Sequence, residues 1–259
     1  MGEGLCNASI HNDTNAPWNE RRPPLIPPES PLTHALAIDT TSDVLSLALL
    51  KAGQPAGALY ESCGHRAEQR LLGAVDDLLR GAGLRAGELD AVFVARGPGS
   101  FTGTRIGLAV ALTFGQVHGL PVVGVDTLEL LAAQVDPALG APFHVLLNCA
   151  RDEVYHAPYR WAAGELRAEA PIALAPLGAV VPALAGRAAL VRRFAPEQPG
   201  LEPLLARLNA PPLRRAHPDG VLLLERGLAR LKALGAQSPP RPAPIYLKSE
   251  AFRKWHRPA

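Results

Sequence analysis

Apolar residues first gather at Ala35–Ile38 and again at Val44–Leu50, with a short polar turn, Asp39–Asp43, between them. A third apolar run follows the turn at Gly53–Pro55, so the pattern predicts a meander of three strands. Farther along, HRAEQRLLGAVDDLLRGAG sets Leu71, Leu72, Val75, Leu78 and Leu79 at helical spacing and closes on Gly81 and Gly83. Ala91–Ala95 then reads as a short buried strand, Gly103–Val117 as a helix of small residues, Pro121–Val125 as a strand and Leu128–Val135 as a helix. Three strands followed by alternating helix and strand predict a mixed sheet with helices on its faces.

The pattern then starts again. FHVLLNCARDEVYHAPYRWAAGELRAEAPIAL has a buried strand, a polar turn, an alternating strand and a third strand, and VLLNCARDEVYHAPY parallels ALAIDTTSDVLSLAL in its pattern. Two related lobes are therefore expected, residues 34–140 and a smaller one at 141–247, with weaker periodicity after Ala170. Residues 1–33 end in closely spaced prolines and are expected to be a disordered tail, since proline denies the backbone both donors and helical dihedrals. The last stretch, APIYLKSEAFRKWHRPA, predicts a short apolar strand and then, at 248–259, a basic tail carrying Arg253, Lys254 and Arg257.

Composition narrows the class. With 259 residues, 47% hydrophobic and 19% charged, the chain can bury one large core or two smaller ones. A formal net charge of +2 gives no strong overall field toward nucleic acid or an acidic membrane, so any RNA contact has to be local or supplied by a partner. Cys6, Cys63 and Cys149 are scattered, which suggests neither a disulfide framework nor a zinc knuckle. Without a basic, apolar leader or a run of about 20 apolar residues, a cytoplasmic location is expected and no membrane is implicated.

The segment RGPGSFTGTRIG, Arg96–Gly107, carries the chemical question. A P-loop needs GxxxxGK[ST], and no lysine is present; the dinucleotide fingerprint lacks its third glycine at Thr102; the GxSxG elbow fails because Pro98 stands two residues before Ser100. What remains is a tight turn at Gly97 and Gly99, with Ser100 or Thr102 capping a helix, or a helix start whose amides receive an anion. Along that helix Gly103, Gly107, Ala111 and Gly115 recur every fourth residue and leave one flat face. That face packs on the protein's own sheet or forms a subunit interface. The preceding helix, through Leu71, Leu72, Val75 and Leu78, covers more than one narrow stripe and leaves the same two options.

In order and spacing, ALAIDTTSDVLSLALL, HRAEQRLL, RGPGSFTGTRIGLAVA, LPVVGVDTLELLA, DEVYHAPY and PIYLKSEAFRKW resemble the TsaB (YeaZ) family over about Ala35–Trp255. The resemblance implies the two-lobed fold of the actin and sugar-kinase ATPases, each lobe a mixed sheet flanked by helices. It also implies a non-catalytic subunit in making threonylcarbamoyladenosine at position 37 of tRNA. The implied partners are TsaD, bound directly, with TsaE and TsaC in the pathway and tRNA reached indirectly; a homodimer is an option when TsaD is absent. The partner face would be Leu71, Leu72, Val75, Leu78, Gly103, Gly107, Ala111 and Gly115.

TsaD, the catalytic relative, carries a metal motif whose two histidines fall here at about Thr127 and Leu131, so no metal site is expected. The first nucleotide turn keeps Asp39 but no glycine, and the second reads Asn148, Cys149, Ala150, Arg151. Asp39, Gly97, Gly99 and Ser100 are left as candidates for weak anion or nucleotide contact, with ATP or ADP shared at the complex interface as an option. No catalytic residue is assigned. The alternative is an independent enzyme of the same fold, a weak ATPase or a peptidase, for which Ser100, His65 and His118 are isolated candidates.

Overall fold

The computed structural model describes residues 8–11, 32–63, 67–149, 153–180, 184, 190–193, 213–216 and 219–247. Contacts divide the chain into two units, Met1–Thr127 with Pro218–Ile245, and Leu128–His217 with Tyr246–Ala259.

The first unit is built on a sheet of strands β1 (Ala8–His11), β2 (Ala35–Asp39), β3 (Val44–Lys51), β4 (Gln54–Ser62), β5 (Ala91–Ala95) and β6 (Val122–Val125) in the order β1-β4-β3-β2-β5-β6. Strands β2, β3 and β4 are the antiparallel meander, and β5 and β6 add parallel to β2. The β3–β4 hairpin turns on Ala52 and Gly53, both at positive φ, which matches the right-handed twist of the paired strands. Within the segment expected to be a disordered tail, Ala8–His11 pairs antiparallel with Ala58–Glu61 and covers the edge of β4.

Alternation along β2 sorts its buried side chains by size. Leu36 and Ile38 point to the face carrying helices α1 (Ala67–Gly81) and α2 (Phe101–His118), where they join Leu45, Leu47, Leu49, Val92 and Val94 in one core. Arg70 pins α1 to β4 through its Nε, 3.0 Å from Glu61 Oε2. Small residues, Ala35, Ala37 and Ala48, occupy the alternate register positions. A C-terminal helix, Gly220–Leu234, packs on β2, β3, β5 and β6, with Gly227 against the Phe93 ring. Asp219 caps it by accepting from Val221 N and Leu222 N, and Gly220 N donates to Ser46 Oγ at 2.9 Å. The boundary expected at 140/141 therefore gives way to a discontinuous first unit, because this late helix has the small residues needed to lie on the first sheet.

Helix α2 starts two residues before the expected Gly103 and is capped by Ser100, whose side chain accepts from Gly103 N. Its small-residue face meets the protein's own turn and sheet: a Cβ at Gly103 would collide with Thr40 O, one at Gly107 with Thr40 Oγ1 and one at Gly115 with the Val122 side chain. Thr40 Oγ1 in turn donates to Gly103 O at 2.7 Å. This is the internal option for the stripe, and it leaves no room there for a second protein.

In the second unit, helix α3 (Thr127–Ala132, beginning one residue before the boundary and ending short of the expected Val135) precedes strands β7 (Phe143–Asn148), β8 (Glu153–Ala162), β9 (Glu165–Ala168) and β10 (Ala173–Pro176). Helix α4 (Leu177–Val180), β11 (Leu190–Arg193) and β12 (Leu213–Ala216) follow, and the C-terminal helix already described is α5. The sheet order is β10-β8-β7-β11-β12, with β9 on β8. It repeats the plan of the first sheet, an antiparallel hairpin extended by parallel strands. Leu128, Leu131, Phe143, Val145, Leu147 and Tyr159 form its core, and Trp161 Nε1 donates to Val135 O at 2.8 Å. On the alternate positions His144 and His156 stack with ring centroids 6.0 Å apart. Ile245 and its neighbours form no regular strand, contrary to the expected short one; Ile245 N instead donates to Arg96 O. The expected basic tail, 248–259, lies outside the described residues. Among those residues, no helix is long and apolar enough to cross a membrane.

Two outcomes follow from this packing. Gly107→Leu, which tests partner contact only if the stripe is exposed, should instead destabilise the chain by about 3 kcal/mol and lower Tm by roughly 6–12 °C; an unshifted Tm would refute the buried assignment. Burial pushes the His156 imidazole below its ordinary 6.5, so the unfolded chain binds that proton more readily. Stability should be greatest above pH 6.5 and fall as pH drops through 6.5 toward the lowered folded value. In thermal melts between about pH 7 and 5, His156→Phe should flatten this slope; an equal slope in the variant would refute the assignment.

Candidate functional site

Ligands of parallel sheets collect where strands end at their carboxyl termini, and three loops of the first unit meet there: the turn after β2, the loop from β5 to α2, and the start of α3 after β6. In the first, Asp39 is buried and its Oδ1 accepts from Thr41 N at 2.8 Å and Thr41 Oγ1 at 2.7 Å, so the carboxylate folds its own turn. The hydroxyl of Thr127 donates on to Thr41 Oγ1 at 3.3 Å. All three side chains are sealed from solvent.

The glycine loop closes onto the same turn. Gly97 sits at φ +90°, a conformation side chains disfavour, and its carbonyl accepts from Thr127 N at 2.8 Å. Gly99 lies so close to Thr41 O that no Cβ fits, and Ser100 N donates to that carbonyl at 2.8 Å. The amides of Thr41 and Ser100 are thus committed within the chain, to Asp39 Oδ1 and Thr41 O. The four candidates Asp39, Gly97, Gly99 and Ser100 do come together, as a joint between loops.

Beside this joint, Arg96 Nε donates to Asp126 Oδ1 at 2.6 Å, Arg230 from α5 stands 3.9 Å from the same carboxylate, and Arg230 Nη1 donates to Gly124 O at 2.6 Å. Sequence reading missed this cluster. The available signal was positional: Arg96 and Asp126 immediately follow two neighbouring parallel strands, β5 and β6.

The enzyme candidates do not assemble. Ser100 Oγ caps α2 at one end while His118 ends the same 18-residue helix, about 27 Å away at 1.5 Å per residue. His65 lies outside the described residues. Thr127 and Leu131, the positions implied for metal histidines, are buried and offer no imidazole. Among the described residues no three His, Cys, Asp or Glu side chains gather around a common point. At the second turn Cys149 N donates to Glu153 O at 3.0 Å, and the Tyr155 phenol is pushed well above its ordinary value by burial, then by its hydrogen bond to Cys149.

The residues expected to face a partner separate into two groups. Leu71, Val75, Leu78, Gly103, Gly107 and Ala111 are buried in the unit's own core, and Gly115 is half-buried against Val122. Leu72 is 61% exposed. Two residues that the sequence reading passed over are also exposed apolar side chains, Phe101 at 57% near the start of α2 and Val117 at 68% near its end. Arg105 lies over the Phe101 ring, 3.7 Å from its centroid. The signal for both was their position on α2 away from the glycine stripe.

Comparison with known proteins agrees with this architecture. A family model described as TsaD, tRNA N6-adenosine threonylcarbamoyltransferase, matches residues 52–197, more than half of the chain. The chain is 38% identical over 126 residues to the tRNA threonylcarbamoyladenosine biosynthesis protein TsaB of Escherichia coli, covering 48% of this chain and 54% of that protein. It is 32% identical over 140 residues to the protein of the same name from Bacillus subtilis, covering 52% and 59%. The chain thus spans about half the length of the curated relatives it matches. A solved Pseudomonas aeruginosa structure, described as an uncharacterized protein similar to peptidase YeaZ, superposes with a TM-score of 0.68 at 30% identity over 84% of this chain and 100% of that one. YeaZ from the same organism gives a TM-score of 0.64 at 28% identity, over 83% and 100%. With its α/β fold of two mixed sheets flanked by helices, this chain belongs to the TsaB (YeaZ) family.

Proposed function

We propose that this chain is the non-catalytic subunit that binds and activates TsaD in forming threonylcarbamoyladenosine on tRNA, in the cytoplasm, with TsaE and TsaC acting in the same pathway. The observation that carries the reading is the closed joint at the carboxyl ends of β2, β5 and β6. There Asp39, Thr41 and Ser100 satisfy one another, where an enzyme of this fold would direct donors toward a nucleotide. A protein with that interior acts through its surface. The paired helices α1 and α2 offer Leu72, Phe101 and Val117 to TsaD, or to a second copy of the chain when TsaD is absent.

Leu72→Glu combined with Val117→Glu changes two exposed side chains, so Tm should stay within about 1 °C. Affinity for purified TsaD should fall at least tenfold; wild-type affinity in the double variant would remove α1 and α2 as the partner face. Purified TsaC, TsaD and TsaE supplied with threonine, bicarbonate, ATP and tRNA should form threonylcarbamoyladenosine only when this chain is added. Equal product without it would refute the subunit reading.

A further inference from the structure

Strand β1 stands at the end of the first sheet and is held there by one neighbouring strand, β4. The pairing runs through Ala8↔Glu61, Ser9↔Tyr60, Ile10↔Leu59 and His11↔Ala58, a backbone ladder that asks little of side-chain identity. On its other side β4 pairs with β3 from Val44↔Ser62 to Lys51↔Gln54, so that hairpin is complete without β1. Uncovered, the outer edge of β4 would be a template on which another chain adds. The covalent tie between β1 and its own sheet is the chain from His11 to Ala35. Three strand spacings, about 14 Å, separate β1 from β2. The alternating strand directions bring the end of β1 and the start of β2 to the same end of the sheet. About five extended residues cover that gap, whereas residues 12–34 include six prolines, Pro17, Pro23, Pro24, Pro27, Pro28 and Pro31. Proline-rich spacers are semi-rigid, at about 3.1 Å per residue. A spacer of this length and composition resists the short return and reaches well past it.

We propose that β1 is an exchangeable strand: residues 8–11 of one copy pair with the β4 edge of a second copy, reciprocally, and join the two in a two-fold dimer. The second copy is the occupant because the segment seated on this edge, in a defined register, is the chain's own. Exchanged and unexchanged states make the same β1–β4 ladder, so the balance between them is set by the spacer and by concentration. The exchange uses neither α1 nor α2, and it stands whether or not Leu72 and Val117 bind TsaD.

The register supplies the test. In the full chain carrying Cys6→Ser, Cys63→Ala and Cys149→Ser, the pair Ser9→Cys and Tyr60→Cys sets two thiols opposite each other on β1 and β4. A short bismaleimide then joins them, within one chain in the unexchanged state and between two chains in the exchanged state. Between about 2 and 200 µM the interchain product should rise at least tenfold. Replacing the central prolines (Pro23→Ser, Pro24→Ser, Pro27→Ser and Pro28→Ser) should lower it at least threefold in favour of the intrachain product. Ile10→Pro, which removes a donor from β1, should reduce both products, and Leu72→Glu with Val117→Glu should change neither. Absence of both products, or intrachain product alone at every concentration, would overturn the exchange. So would an interchain product that survives Ile10→Pro, is equal in the serine variant, or disappears with the two changes on α1 and α2.

Discussion

The first unit depends on how closely the turn after β2 approaches the start of α2. Thr40 and Thr41 present their carbonyls to the helix at a separation that excludes a Cβ at Gly99 and Gly103, and Gly107 makes room for the Thr40 side chain. Once that approach is made, Thr40 Oγ1 reaches Gly103 O and Ser100 N reaches Thr41 O, so the Thr40 hydroxyl and the Thr41 carbonyl brought out of water are paired. The GPG turn supplies the unusual backbone and the glycines supply the space. An alanine at any one of these three positions would force the turn off the helix and undo its hydrogen bonds.

This constraint also bears on function. Backbone amides near a helix start bind an anion only when they are free to point at it. Here Ser100 N is given to Thr41 O and Gly103 N to the Ser100 hydroxyl, and Asp39 organises Thr41. Leu72, Phe101 and Val117 stand exposed on α1 and α2, and the proposed association with TsaD would cover such apolar area.

Much of the fold was legible in the sequence. Apolar runs at 35–38 and 44–50, the period-3.6 leucines at 71–79 and the Gly-Pro-Gly turn are local signals, decided by backbone geometry and the partition of side chains between water and interior. The repeated strand–turn–strand pattern likewise announced two sheets of one plan. Local rules do not report which of two equivalent surfaces a residue faces. Gly103, Gly107 and Ala111 are compatible with close packing on any neighbour, and only the fold shows that the neighbour is Thr40. The same limit hid Phe101 and Val117, whose exposure depends on what covers the opposite side of α2.

Sequence alone determined the strands and helices of residues 34–135, the kinship of the two sheets and the unsuitability of RGPGSFTGTRIG as a P-loop, since each follows from side-chain type and spacing along the chain. Tertiary structure alone decided that Gly220–Leu234 returns to the first sheet, that Asp39 is spent on Thr41 and that Arg96 and Arg230 meet at Asp126. Those pairings join residues as many as 174 positions apart, as between Ser46 and Gly220. No local preference encodes such distances; they arise when α5 packs on the first sheet, where Gly220 and Gly227 leave room for the Leu47 backbone and the Phe93 ring.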